Sequence, residues 1–325
     1  MQDNIVFENN NHFAQLYQID NPTSVHTLVQ LPHFSQSPEL QVFKKRARSK
    51  WYTQKIVREL AKLDSPLKAY YENALECTSV LIQKGQKVTS KYCNARCCNT
   101  CNRIRTGKAL NNYESQFQEI PVLYFTTLSA KNVKAIDLRN EIEKQIKALH
   151  NISAWMKRHG IVWNGVRKIE VTYNEIEDTY HPHYHIIHEG NVGNIVIEQW
   201  MKRNKTSGIK GQKTLIADKE TLKEIFKYTT KVFVKDVNDK NSMNIYLHAI
   251  DIIMVAMKDK RTWQPFGNIK IVSEDVEELK SEDFKILKED YNTYHVWEKH
   301  TWFDIVNDEP FVDYKPPDIN FNFIE

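Results

Sequence analysis

No run of apolar residues approaches the ~20 that a helix needs to cross a bilayer, and the first residues lack the basic-then-apolar pattern of a secretory signal. These two absences set the expectation of a cytoplasmic protein with no membrane partner. Cysteine is scarce, at five in 325 residues. Four of the five fall between Cys93 and Cys101, which argues against a disulfide framework in that compartment. No internal repeat is evident. Net charge is also small, since 45 Lys and Arg stand against 41 Asp and Glu to give +4. The charge is unevenly spread, however. Lys44, Lys45, Arg46, Arg48, Lys50, Lys55 and Arg58 crowd one early segment, while the chain after Ser273 is acidic. Such asymmetry points to an anionic partner for the front of the molecule, although a solvated helix face explains a basic run equally well.

What is present is a soluble globular composition, 41% hydrophobic and 26% charged. The length suits one large domain or two ordinary ones. Residues 1–37 are polar and weakly patterned. After Pro38 an apolar stripe from Leu40 to Leu63 predicts a helix, and a second is expected from about Leu67 to Gln83. Val122–Ser129 reads as a buried strand, and Ala135–Arg158 as a long amphipathic helix stopped by Gly160. Arg167–Tyr173 and residues 182–188 read as two strands joined by a polar turn. Helices are expected near Asn194–Lys202, Thr221–Val234 and Met243–Met257, with a short strand over Thr214–Ala217 between the first two. The order implies an α+β fold, helices packed on a largely antiparallel central sheet, with an N-terminal helical extension. The divisions expected are 1–88 for the arm and helical extension, 89–270 for the main domain, and 271–325 for an acidic tail on which no structure is forced.

The chemistry centres on His181-Pro182-His183-Tyr184-His185. Strand side chains alternate faces, so His181, His183 and His185 share one face, and antiparallel pairing of the upstream strand could bring Glu170 opposite them. Two imidazoles and a carboxylate on one patch of sheet suit a divalent metal with open positions. Cys98 and Cys101 form a Cys-x-x-Cys, and Cys93 or Cys97 could supply a third thiolate for structural Zn²⁺. The fourth ligand would be Cys77, another thiol of the cluster, or a histidine. Farther on, Glu224 and Tyr228 are four apart on one helical face, with Lys227 and Lys231 near it. A tyrosine beside a metal-activated phosphate can act as a nucleophile, and the glutamate could deprotonate a water.

The segments YFTTLS, KIEVTYN, YHPHYHIIHEG and EIFKYTTK, in this order, resemble the rolling-circle plasmid replication initiators of the HUH (His-hydrophobic-His) endonuclease superfamily. The match is to the single-tyrosine branch, with a glutamate four residues before the tyrosine. That branch also carries C-x-x-R-x-C-P-x-C, which Cys93, Arg96, Cys98 and Cys101 follow except that Asn99 replaces the proline. Arg261-Thr262-Trp263 with Gly267 and Lys270 is similar to a further family segment. The resemblance covers about residues 90 to 270.

It implies a sheet of about five antiparallel strands, with His183 and His185 as metal ligands and Glu170 favoured over His181 as the third. It further implies Mg²⁺ or Mn²⁺ at that site, Tyr228 attacking a DNA phosphate, and Glu224 activating the terminating water. The implied partners are single-stranded or hairpin origin DNA and a host helicase and polymerase, in a bacterial cytoplasm. Basic residues at 44–58 and 202–213 could hold the DNA backbone, and Tyr124, Trp163 or Trp200 could stack on bases. A relaxase or transposase of the same class would share this chemistry. A histidine-triad nucleotide hydrolase would use the three alternating histidines without a metal, and a non-catalytic DNA-binding module would bind without cleaving.

Overall fold

A proline opens the first helix, α1 (Pro38–Leu60), where its missing N–H would have had no helical partner. The computed structural model describes residues 38–84, 87–218, 233–235, 241–270 and 293–324. Helix α1 turns Phe43, Ala47, Trp51, Ile56, Val57 and Leu60 inward, as its stripe requires. Part of its basic run is buried with them. Arg46 lies over the Phe43 ring and Lys50 is 2% exposed, while Arg48, Lys55 and Arg58 remain outside.

Helix α2 (Lys68–Leu75) is shorter than its sequence suggests. Residues expected to continue it instead form β1 (Val80–Lys84), which pairs with β2 (Lys87–Ser90). Helix α3 (Asn99–Gln118) follows, and was not anticipated. Its apolar residues face two different cores: Cys101 and Ile104 pack with the helices, whereas Ala109, Leu110, Tyr113 and Phe117 pack on a sheet. A single amphipathic stripe is therefore absent from the sequence.

The central elements follow the sequence closely. They are β3 (Leu123–Ser129), α4 (Ala135–Arg158), β4 (Gly165–Asn174), β5 (Thr179–Glu189), α5 (Gly193–Arg203) and β6 (Lys213–Ile216). Helix α4 has Asp137 in its first turn and Lys157 and Arg158 in its last, complementing the helix dipole. It ends as the sequence predicts. Gly160 adopts φ +66°, Gly160 N–H donates to Lys157 O (3.2 Å), and Ile161 N–H donates to Met156 O (3.0 Å).

Beyond them lie β7 (Phe233–Lys235), β8 (Ser242–Tyr246), helix α6 (Leu247–Ala256) and β9 (Trp263–Phe266). The expected helix over Thr221–Val234 lies outside the described residues except at its end, which belongs to β7. The helix expected from Met243 begins only at Leu247, since the preceding residues pair as β8.

Strands β6-β3-β5-β4-β9, in that order, form a five-stranded antiparallel sheet. One face packs Leu128, Ile169, Val171, Tyr184 and Ile186 against α4 and α5. The other is covered at one end by the second half of α3. Pro182 sits inside central β5 rather than at its start, opposite Val171. Tyr180, of the same parity, bonds across to Val133, so Pro182 faces the side where β3 has already ended at Ser129. No ladder donor is missed there, and the Pro182 carbonyl accepts from Gln145 Nε2 at 3.2 Å.

The acidic tail is also built into the fold. Strands β10 (Thr293–Glu298) and β11 (Thr301–Asp304) extend the sheet of β1 and β2, and β12 (Asn320–Ile324) runs parallel to β8. Propensity along the tail gives no warning of this, because β10 pairs with β1 some two hundred residues away (Val80 opposite Val296) and β12 pairs with the distant β8. Trp302 anchors it, fully buried, with Nε1 donating to Thr78 O at 2.7 Å. Among the described residues no helix is long and apolar enough to cross a membrane. Trp302→Ala is expected to lower stability by about 3–5 kcal/mol in urea denaturation, the range for emptying a large aromatic site. A loss under about 1 kcal/mol would mean that the tail does not brace the core.

Candidate metal centre on the sheet

The β4–β5 register fixes the site. It pairs Glu170 with His183 and Lys168 with His185, and directly paired residues share a face. Three contacts hold that register. The hairpin between the strands is closed by Asn174, whose Oδ1 accepts from the N–H groups of Ile176 (3.1 Å) and Glu177 (3.2 Å). Asp178 takes the left-handed conformation (φ 48°) that completes the turn. On the opposite face, Ile169, Tyr184 and Ile186 are committed to the core under α4.

Glu170, His183 and His185 converge with ligand atoms that lie within 4.8 Å of one another. Glu170 Oε2 stands 3.4 Å from His183 Nε2 and 3.5 Å from His185 Nε2. His183 Nδ1 is 3.0 Å from the carbonyl two residues back, His181 O, and only a protonated Nδ1 can bond there. In the neutral ring that leaves a lone pair on Nε2, aimed toward Glu170. His185 Nδ1 is steered by Thr127 Oγ1 at 3.3 Å, and His185 Nε2 is buried without a hydrogen-bond partner. Two imidazole nitrogens and a carboxylate that converge on one point are a donor set a cation can use, and oriented outer hydrogen bonds are usual for metal-binding histidines.

Electrostatics agree with the geometry. Burial pushes the Glu170 carboxyl up, but His183, His185 and the buried Lys168 ammonium more than offset this and hold it well below the usual carboxylate range. Lys168 Nζ donates directly to Glu170 Oε1. Burial lowers His185, partly offset by Glu170. Lys168 escaped the sequence reading, although its i, i+2 spacing from Glu170 on a strand places both on one face and could have revealed it.

The structure does not bring His181 into the trio. It is half-buried and its ring stacks on that of His183 at 5.0 Å, with burial lowering it to about 4. His188 belongs to the opposite face and is a satisfied core residue. Its Nε2 pairs with Thr126 Oγ1 (2.8 Å) and its Nδ1 with Glu189 O (3.0 Å). Trp163 and Trp200 are buried and cannot stack on bases, and Trp200 Nε1 donates to Ser129 O. Tyr124 is half-buried and stacks on His188. The register Lys213–Thr127–His185 puts Lys213, exposed on edge strand β6, on the face of the trio. Lys202, Lys205 and Lys210 are exposed nearby in the chain. Tyr228, Glu224, Lys227 and Lys231 lie outside the described residues. Of the cysteines, Cys77, Cys93, Cys98 and Cys101 cluster, and Cys97 stands outside the cluster.

Two buried histidines away from the trio are expected to make stability pH-dependent. Burial lowers His188 to about 4 and lowers His295, whose Nε2 meets Gln83 Oε1 at 3.1 Å. Unfolded imidazoles titrate near ~6.5, so the unfolded chain binds more protons and stability falls as pH drops from about 6.5 to about 4. Denaturation midpoints measured through that window should fall, and His188→Gln should flatten the slope. A midpoint independent of pH there would contradict the buried-neutral assignment.

Residues 84–188, which contain the whole trio, match the family described as "Replication protein". "Protein rep" of Staphylococcus aureus is 28% identical over 111 residues, 33% of this chain and 48% of that protein. The "Protein rep" sequences of a Bacillus species and of Bacillus amyloliquefaciens are each 28% identical over 128 residues, 36% of this chain and 42% and 38% of theirs. The chain thus spans less than half the length of these relatives. No solved structure matches it significantly. Over residues 84–188 this protein is similar to replication proteins.

Proposed function

We propose that this protein initiates rolling-circle replication by nicking single-stranded or hairpin origin DNA through a covalent tyrosyl intermediate. The observation that carries the reading is the convergence of Glu170, His183 and His185 on one sheet face, inside the segment similar to replication proteins. The buried, unpartnered His185 Nε2 and the donor set of two imidazoles and one carboxylate suit Mg²⁺ or Mn²⁺. Such an ion, when bound there, polarises the phosphate and neutralises charge developing on it.

The chain's own residues do the rest. The Tyr228 oxygen attacks the phosphorus of the scissile phosphodiester, its proton passing to solvent. The bond to the 3′ oxygen breaks, a tyrosyl–5′-phosphate forms, and a free 3′-hydroxyl is released as a primer for the host polymerase. Strand transfer of this kind conserves the phosphodiester's energy, which direct hydrolysis does not. Glu224 takes a proton from the water that later cleaves the link and ends a round. Lys213, on the trio's face of the sheet, and Lys227 and Lys231, near the tyrosine in the sequence, neutralise backbone phosphates. A host helicase supplies the single strand, in a bacterial cytoplasm. The carboxylate set between two imidazoles favours this reading over a histidine-triad hydrolase, which needs no metal. A relaxase or transposase would share the chemistry, and the Glu224/Tyr228 pair favours replication because it provides a terminating hydrolysis.

Incubation with Mn²⁺ and a single-stranded origin oligonucleotide should give a gel-shifted covalent adduct that is absent from Tyr228→Phe. An adduct that persists in Tyr228→Phe would move the nucleophile elsewhere. No adduct over a broad set of oligonucleotides would reject nicking altogether. Thr127→Val, which frees His185 to rotate while keeping a β-branched strand residue, should weaken Mn²⁺ binding by about 10–100-fold in calorimetry.

A further inference from the structure

Four sulfurs meet at a second point of the fold. Cys77 leaves the turn between α2 and β1, Cys93 precedes α3, Cys98 caps it, and Cys101 lies in its first turn. Their Sγ atoms all lie within 4.8 Å of one another. Cys101 Sγ stands 3.5 Å from Cys77 Sγ and 3.6 Å from Cys93 Sγ. A disulfide needs ~2.05 Å, so these are not bonded pairs. Four thiolates around one tetrahedral ion with Zn–S near ~2.3 Å are separated by about 3.8 Å along each edge, close to the spacings found.

We propose that Cys77, Cys93, Cys98 and Cys101 hold one structural Zn²⁺ as four thiolates. Each Cys–SH loses its proton to solvent as the ion enters, and no electron is transferred. The surroundings are built for thiolates. Ala95 N–H donates to Cys93 Sγ (3.3 Å) and Cys101 N–H to Cys98 Sγ (3.5 Å), the latter at the positive end of α3. Asn94, at φ 58°, turns the chain so that Cys93 can face the others. Four thiolates and one Zn²⁺ carry a net charge of about −2, and buried cations stand close by. The Lys50 ammonium of α1 bonds Cys77 O at 2.5 Å, and Arg105 of α3 bonds Asn94 O.

The ion gives the N-terminal helices a tie to α3. Cys77 comes from the helical extension and the other three ligands from the start of α3, whose second half covers the sheet face that carries the histidine trio. Cys77 also precedes the segment similar to replication proteins, so the fourth ligand comes from outside it. The same core buries Cys77, Cys98 and Cys101 with Val57, Leu60 and Tyr71 of α1 and α2, and Arg96 reaches across to Met257 O.

Metal analysis of the full-length untagged protein tests this without DNA. The expected result is one zinc per chain, retained in Cys97→Ser and lost in Cys77→Ser. Should Cys77→Ser fail to fold, wild-type protein still decides. A thiol reagent should modify Cys97 first, and the other four only as one zinc is released to a colorimetric chelator. Co²⁺ substituted for zinc should show tetrahedral d–d bands with thiolate charge transfer. Folded protein without zinc, with iron in its place, or with all five thiols reacting together would overturn the assignment.

Discussion

A carboxylate buried inside a sheet is the constraint around which this molecule is arranged. Glu170 is 3% exposed, and removing an anion from water costs several kcal/mol unless charge and hydrogen bonds replace the lost hydration. Lys168 supplies one partner, on the same strand face two residues away. The Nε2 atoms of the two imidazoles face the second oxygen, at 3.4 and 3.5 Å. Everything beneath them secures that arrangement. A one-residue slip of β4 against β5 would turn Glu170 into the hydrophobic face and Ile169 toward the histidines. Core packing under α4 on one side and the Asn174 turn at the end oppose it.

The two candidate centres divide labour in a way the topology makes plain. The sheet centre gathers one carboxylate and two imidazoles, a donor set that suits chemistry. The thiolate centre has four ligands from one chain and lies largely inside the helical core, which suits structure. Helix α3 joins them, since its first turn carries thiols and its second half packs over Phe125, Val166 and Ile187 of the sheet. The tail adds a second brace, its strands β10 and β11 completing the sheet that starts just after Cys77.

Local periodicity was readable without coordinates. The alternation in 181–188, the stripe of α4 with its glycine stop, the apolar β3, and the bunching of cysteines all follow from spacing along one segment, because side-chain direction in a helix or strand repeats at fixed intervals. What failed were elements whose patterns serve two surfaces or distant partners. Helix α3 lacks a single stripe because it faces two cores, and β1 reads as the end of a helix because one of its two partners, β10, lies in the tail.

The sequence by itself determined that His183 and His185 share a face, that four cysteines lie within nine residues, and that Glu224 and Tyr228 recur at helical spacing. Tertiary structure decided which carboxylate joins the imidazoles, that Lys168 rather than solvent neutralises it, and that Cys77 rather than Cys97 completes the thiol cluster. It also decided that Trp163, Trp200 and His188 are core. The physical reason is the same throughout. Spacing fixes direction within one element, but which directions converge depends on strand register and on which faces are buried, and those are set by contacts between segments far apart in the chain.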